Sequence, residues 1–361
     1  VTLRIDIGGL PSERLRFAAS PLAELTAMLH MLAEPGHHPR HAGLAADIWA
    51  ELPPELAERL REAEFLWRSS QADFLLPAHP RPTLAEELDD VDRIDDETYV
   101  TAALVTTCGG GRGHFTAPSP LTDAPTRERA LELAQARGPR QEAFAERLLT
   151  DPTGVRARVR GTLEQCAVAF FDAAWADIAL RLATDLRLKN DLLRRQGLGP
   201  ALASVSGAIT LAPDGDHIVV DKLQDKATTA QGSGVTFVPS VFGRPHLVVV
   251  HAPGWQPVVQ YPVAEPDPSP PVPLDTVTLR LDALAHPLRL RLLRTLARGP
   301  HTTGELAHAW ELTPPEVSRH LAVLRRSGLL TTRRDGRYVR YTLNVPDLTA
   351  LGTDLLAAIL R

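Results

Sequence analysis

Residues 302–341 read TTGELAHAWELTPPEVSRHLAVLRRSGLLTTRRDGRYVRY, and this stretch decides the fold of the C-terminal quarter. It predicts two short helices followed by a basic hairpin. The first helix, 303–310, turns Leu306 inward and ends in a turn at Glu311-Leu312. The second carries the strongest local signal in the chain: Thr313 as cap, Pro314 at the first helical position and Glu316 completing a capping box. Val317, Leu321 and Leu324 recur at i, i+4, i+7 and form its apolar face. Pro315, Glu316, Ser318, Arg319 and Ala322 lie on the opposite side. Gly328 stops the helix. Residues 329–334 and 337–343 then read as two strands around Asp335-Gly336, a strong short hairpin signal. Arg333, Arg334, Arg337 and Arg340 surround its tip. This order presents one helix to a groove of double-stranded DNA and an arginine-rich ribbon to the backbone.

Each side chain has an expected part. Arg319 reaches a base edge, most naturally guanine O6 and N7. Ser318 and His320 donate to phosphates, and the helix start around Thr313 and Pro315 favours a phosphate. The arginines Arg333, Arg334, Arg337 and Arg340 suit phosphate or the narrow minor groove. Arg325 and Arg326, late in the helix, suit backbone phosphates or acids of a partner. The bland alternative is a solvated basic hairpin on a helical domain that binds protein.

Upstream, 281–298 reads as one helix with Leu284, Leu288, Leu292, Leu293 and Leu296 on its apolar face and an irregular start at His286-Pro287. Downstream, 347–360 is a final helix striped by Leu348, Leu351, Leu355, Ile359 and Leu360. Such a stripe needs a partner, either helix 281–298 or a second copy. A homodimer matches two half-sites about 34–36 Å apart.

Charge sets this module apart. The 361 residues carry a net charge of −5, but 280–361 hold 13 arginines, no lysine and 7 acids, a net of +6. Residues 1–279 therefore carry −11. A basic module is attached to an acidic body, and the DNA footprint is expected in the tail alone.

The body is read more coarsely. Residues 1–10 alternate as a short strand does. Ser20 and Pro21 open a helix that Gly36 ends. Helical patterns follow at 51–67, 84–88, 126–149 and 155–196. The last is too long for one ordinary helix, and Gly161 is a possible break. Residues 209–220 form a hairpin around Asp214-Gly215, and 235–238, 247–251 and 257–261 are further strands. Residues 262–273, PVAEPDPSPPVP, hold six prolines and read as an extended linker. The expected fold class is α+β: a mostly helical N-terminal region, 1–198, with a small strand-rich segment, 199–262, packed with it. A Pro-rich linker, 263–273, leads to a C-terminal winged helix-turn-helix domain, 274–361.

Residues 281–343 resemble the ArsR/SmtB family of bacterial winged-helix regulators, in LDALAHPLRLRLL, TTGELA, PPEVSRHLAVLRRSGLL and RRDGRYVRYTL taken in order. The resemblance, with the final helix, covers less than a quarter of the chain. It implies that Ser318, Arg319 and His320 sit on the recognition helix, that residues 335–337 form the wing tip, and that the outer helices build a dimer. It also implies repression as the usual mode. The metal sensors of that family carry a cysteine pair on the first helix of the motif; here the segment is ELAHAW. The final helix offers Asp347 and Asp354 but no histidine, so no metal is expected there. Residues 1–262 resemble an actinobacterial N-terminal domain of unassigned function, in RFAASPLAELTAMLHMLAEPGHH and GVTFVPSVFGRPHLVVVHAPGWQPVVQYPV. Arginine in preference to lysine, with abundant Ala, Leu and Pro, fits a GC-rich genome.

Other clusters are weaker. His37, His38 and His41 lack a carboxylate or cysteine at short spacing and read as a surface loop or local packing rather than a metal site. The glycine-rich run 108–113 lacks the order of a phosphate-binding loop. The acidic run 86–97 lacks the calcium-loop order and reads as a solvated face. Cys108 and Cys166 read as buried or inert thiols. Phe170, Phe171 and Trp175 read as core, with an apolar ligand pocket as the alternative. No cofactor motif and no nucleophile set stands out. No apolar run spans a membrane and no signal-peptide layout is present, so a cytoplasmic protein is expected. The leading reading is a DNA-binding transcriptional regulator, not an enzyme: a dimeric repressor reading an inverted repeat, whose front domain binds a small-molecule effector or a partner. The alternatives are an enzyme with a DNA-binding tail, or a protein-interaction module with a degenerate winged helix.

Overall fold

In the computed structural model, strand β1 (Thr2–Asp6) buries Leu3 and Ile5 and exposes Arg4, the period-2 alternation of a half-covered strand. Its partners lie far along the chain. It pairs antiparallel with β4 (His217–Asp221) and parallel with β5 (Lys226–Thr229). β3 (Ile209–Leu211) completes the sheet as a hairpin with β4. Gly215, at φ +78°, supplies the left-handed residue of its turn. A second sheet has the order β2 (Leu15–Phe17), β6 (Val235–Ser240), β8 (Val258–Pro262), β7 (Val248–Val250). β6 is buried throughout, as a central strand covered on both faces must be. Each sheet therefore pairs an N-terminal strand, β1 or β2, with strands from beyond Gly207.

The chain divides into two compact units, Val1–Pro266 and Asp267–Leu360. The structure describes residues 2–68, 70–109, 115, 118–221, 226–263, 272–335 and 338–360. Most of the linker and the wing residue Arg337 lie outside them, as does most of the glycine-rich run.

Helix α1 (Pro21–Ala33) is the axis of the first unit. Ser20 caps it, accepting from the Ala23 amide, and Pro21 takes the first turn. The helix ends at Ala33, short of Gly36. It buries nearly every side chain among α2 (Ala42–Glu51), α3 (Pro54–Ala63), α4 (Leu84–Asp92) and α5 (Asp96–Cys108). Residues 126–149 divide into α6 (Ala124–Gln135) and α7 (Pro139–Thr150) at Gly138, whose φ is +144°. The long helical stretch breaks, but not at Gly161. α8 (Pro152–Cys166) runs through that glycine into a π-turn, Ala167–Phe171, before α9 (Asp172–Gln196). The wider turn absorbs a residue and resets the inward positions. Phe171 is buried and packs on Trp175, while Val168 is exposed. α10 (Leu198–Ala203) then lays Ala201 and Leu202 into the core of the first sheet.

Most acids of the run 86–97 are exposed, as expected, but several are paired. Arg160 bridges Asp89 at 2.7 Å and Asp92 at 2.5 Å, and Arg81 holds Asp90 at 2.7 Å. Glu87 is buried, accepting from Ser20 Oγ and the amides of Leu22 and Arg81. Burial pushes its carboxyl up to about 7. Glu24 is likewise buried, accepting from the Val241 amide at 2.8 Å, and burial pushes it up to about 7 as well. Cys108 and Cys166 are free and buried, and desolvation raises both thiols to about 12. No helix among the described residues is long and apolar enough to cross a membrane.

The second unit begins with two helices where one was expected: α11 (Leu274–Leu284) and α12 (Pro287–Leu296). Pro287 excludes the helical region for the residue before it, and His286 sits at φ −109°, ψ 121°. Its Nδ1 accepts from the Leu288 amide and caps the new helix. β9 (His301–Thr302), α13 (Thr303–Ala309), α14 (Pro314–Arg326), β10 (Leu330–Asp335), β11 (Tyr338–Leu343) and α15 (Val345–Leu360) follow. The sheet order is β10-β11-β9, all antiparallel.

Candidate nucleic-acid interface

The helix pair α13–α14 is assembled from local signals. Thr302 and Glu305 make a full capping box at the start of α13. At α14 only half of the expected box forms. Thr313 Oγ1 accepts from the Glu316 amide at 3.4 Å, and no return bond from the Glu316 side chain is made. The turn between them is tight: Glu311 adopts φ +51°, and the Leu312 amide donates to the Ala307 carbonyl. Val317, Leu321 and Leu324 are fully buried against Leu292, Leu296 and Leu306. That anchoring fixes the rotation of α14 about its axis. Pro315, Ser318 and Arg319 consequently face solvent together.

His320 differs from its expected part. It is half-buried, with its ring 4.8 Å from that of His286. Burial, His286 and Arg289 hold its imidazole below the ordinary range, so it is neutral at pH 7.

On the ribbon, residues directly opposite share a face. Arg333 pairs with Arg340, so both point to one side; Arg334 pairs with Val339 and points to the other. The Arg334 face continues from buried Leu330. Arg333 and Arg334 are exposed, and Arg340 is half-buried in the field of Glu305. Arg337 falls outside the described residues.

Not every arginine of the module is available. Arg280 is buried: Nη1 donates to Asp354 at 2.8 Å, Nη2 lies 2.9 Å from Asp347, and Nε donates to the Ser327 carbonyl. Arg289 donates to the carbonyls of Ala283 and Asp282 and closes the end of α11. The Arg280 pairs tie α15 to α11 of the same chain, and Leu348 joins the core, while Ile359 of the stripe stays exposed. Sequence reasoning missed Arg280 because nothing in a single arginine marks the distant carboxylates, Asp347 and Asp354, that it will meet.

The histidine group of the first unit takes the form of local packing rather than of a surface loop. His37 and His38 do not make a bare surface loop. They gather with His30 of α1 and with His246, ring centroids lying 4.6–6.4 Å apart. His41 packs on Phe242 instead. Burial lowers the His30 imidazole and takes His38 to about 3.

Two packed helices joined by a short turn, with a two-stranded ribbon behind them, define a winged helix-turn-helix. Residues 284–333 match the family described as "Helix-turn-helix domain". Residues 1–267 match the one described as "Family of unknown function (DUF5937)", and the chain belongs to that family. The C-terminal unit is similar to the Biofilm growth-associated repressor of Agrobacterium fabrum, at 42% identity over 67 residues, 19% of this chain and 57% of that one. It is 38% identical over 86 residues to the Probable mercury resistance operon repressor of Streptomyces lividans, covering 23% of this chain and 69% of the relative. Among solved structures, the transcriptional repressor BigR from Xylella fastidiosa is 34% identical, with 24% of this chain and 88% of that one covered and a TM-score of 0.20. The chain thus spans little more than half of the first relative, and each of the three matches takes in less than a quarter of this chain. The two sequence relatives are named as repressors. The C-terminal unit is accordingly a winged helix-turn-helix of the ArsR/SmtB-like transcriptional-regulator type.

Proposed function

We propose that the chain is a DNA-binding transcriptional regulator of the ArsR/SmtB family, acting in the cytoplasm as a dimeric repressor on an inverted repeat. One observation carries the reading: α14 turns Val317, Leu321 and Leu324 wholly into the core and leaves Pro315, Ser318 and Arg319 together on the solvent side. A helix held in this way offers its N-terminal half to the major groove. Arg319 takes the base edge, most naturally guanine. Ser318 and the capped helix start at Thr313 and Pro315 take phosphate. Arg333, Arg334, Arg337 and Arg340 engage the backbone or minor groove beside it. His320, neutral and leaning on His286, orients the helix and donates at most a neutral hydrogen bond. The front domain, of actinobacterial character on the earlier resemblance, binds the effector or partner that shifts the DNA-competent state. The domain limits in this reading are 1–198, 199–262, 263–273 and 274–361.

Selection of binding sites from a random DNA library at moderate salt, with the intact chain, tests the proposal. An enriched inverted repeat with half-sites a whole number of turns apart is the expected outcome. Arg319→Ala should relax the preference at one base position, by about 1–3 kcal/mol. Arg333→Ala should weaken all sequences alike and lower the salt slope by about one. Equal binding of every sequence by the parent chain, or an unchanged profile in Arg319→Ala, would refute it.

A further inference from the structure

The DUF5937 unit brings together three imidazoles that the sequence does not group. His30 lies in the last turn of α1, His37 closes the turn Pro35–His37, and His246 follows far along the chain, between β6 and β7. One ring nitrogen from each lies within 4.8 Å of the other two. His30 and His246 approach at 3.0 Å through their Nε2 atoms. All three residues are only half-buried. His38, buried, packs against the same group.

Hydrogen bonding sets the His30 ring for a ligand. Its Nδ1–H donates to the Trp67 carbonyl at 2.9 Å, which leaves the lone pair on Nε2, directed at the cluster. A carbonyl that fixes the tautomer in this way is the usual support behind a metal-bound histidine. The buried Nδ1 of His37 has no hydrogen-bond partner among the described residues. With its proton on Nδ1, His30 accepts at Nε2 from the Nε2–H of His246, a proton that a bound cation would displace. A single divalent cation takes three lone pairs at once. Nitrogens about 3.3 Å apart surround a tetrahedral ion at its usual distance of about 2.0–2.1 Å. His30 and His246 already lie near that spacing at 3.0 Å, and closing the widest separation of 4.8 Å takes about 1.5 Å, within the reach of rotation about χ1 and χ2.

We infer that His30, His37 and His246 form a binding site for a divalent first-row transition metal of the zinc type, with a fourth position open to water or an exogenous ligand. The donor set is three neutral nitrogens without thiolate or carboxylate, which suits Zn(II), Co(II), Ni(II) or Cu(II) and disfavours Mg(II) and Ca(II). The site lies in the first unit and is independent of how the winged helix meets DNA.

The test uses the intact, untagged chain, stripped with a chelator and titrated with Co(II) under visible absorption. One equivalent per chain is expected, with the intense ligand-field bands of a four- or five-coordinate ion, bleached on adding Zn(II). His37→Gln and His246→Gln should each weaken Co(II) binding at least 10-fold, while His217→Ala, on β4, leaves it unchanged. If His246→Gln loses the native circular dichroism, His37→Gln decides, because His37 sits in a surface turn. A natively folded chain that retains neither Co(II) nor Zn(II) overturns the site. Equal binding by both glutamine variants and the parent also overturns it.

Discussion

Arg280→Met is expected to release the final helix. The guanidinium is 7% exposed and joins α11 to α15 through Asp354 and Asp347. Methionine keeps much of the apolar stem but leaves both carboxylates without a cation. Breaking a fully buried ion pair costs about 3–5 kcal/mol, but these partners are not equally buried. Asp354 is 19% exposed and Asp347 38%. Asp347 can rehydrate, so its share falls to about 1 kcal/mol or less. The bond to Asp354 is charge-assisted and supplies about 1.5–2 kcal/mol. The total is about 2–3 kcal/mol, concentrated on one helix. Hydrogen exchange on the intact chain reads it locally. Peptides from 345–360 should exchange about 30–150-fold faster, while those from α1 keep their rates. In an Asp347→Asn, Asp354→Asn background the same Arg280→Met change should be neutral or stabilising, since it removes a buried cation already deprived of its partners. A change below about 3-fold in α15, or one equally large in the asparagine background, would show that the ion triad does not hold the helix.

Further expectations concern backbone, pH and thiols. Glu311→Gly relieves a left-handed residue in the α13–α14 turn and should stabilise the second unit by about 1 kcal/mol, read as slower exchange over 303–326; no change would mean the turn is unstrained. Glu24 keeps its proton up to about pH 7 in the folded chain, whereas in the unfolded chain it is released near 4.5. Its contribution is therefore fully present below pH 4.5 and is lost as pH rises to 7, by up to about 3 kcal/mol. Glu24→Gln should flatten the fall in thermal midpoint between pH 5 and 7, and an unaltered slope would place the titration elsewhere. Cys108 and Cys166, with thiols raised to about 12, should resist an aromatic disulfide reagent at pH 7.5 until denaturant is added.

The winged unit was legible because its signals are local. Thr313-Pro314, the i, i+4, i+7 spacing of Val317, Leu321 and Leu324, and Asp335-Gly336 each act over a short stretch of chain, so helix, face and hairpin follow from short-range sterics and burial. Local reading failed where two local signals competed. Pro287 broke a leucine-rich run into α11 and α12, and a π-turn rather than Gly161 interrupted the long helix. Helix α5 was hidden because its start lies in the acidic run, and because it buries Ala102, Thr106 and Cys108 as well as Tyr99, Val100, Ala103 and Leu104, so that burial runs round the axis and leaves no one-sided stripe.

What the sequence by itself determined is thus the helix-turn-helix, its outward residues Ser318 and Arg319, the hairpins and the charge division between the two parts of the chain. What only the tertiary structure decided is everything made by long-range pairing. β1 lies between β4 and β5, Arg280 meets Asp347 and Asp354, the acids Asp89 and Asp92 close on Arg160, and His30 meets His37 and His246. The physical reason is the range of the forces involved. Capping, turn conformation and amphipathic spacing act along the chain and are written in neighbouring residues. Register between distant strands, and the partners of buried charges and imidazoles, are set by which surfaces the packed core brings into contact.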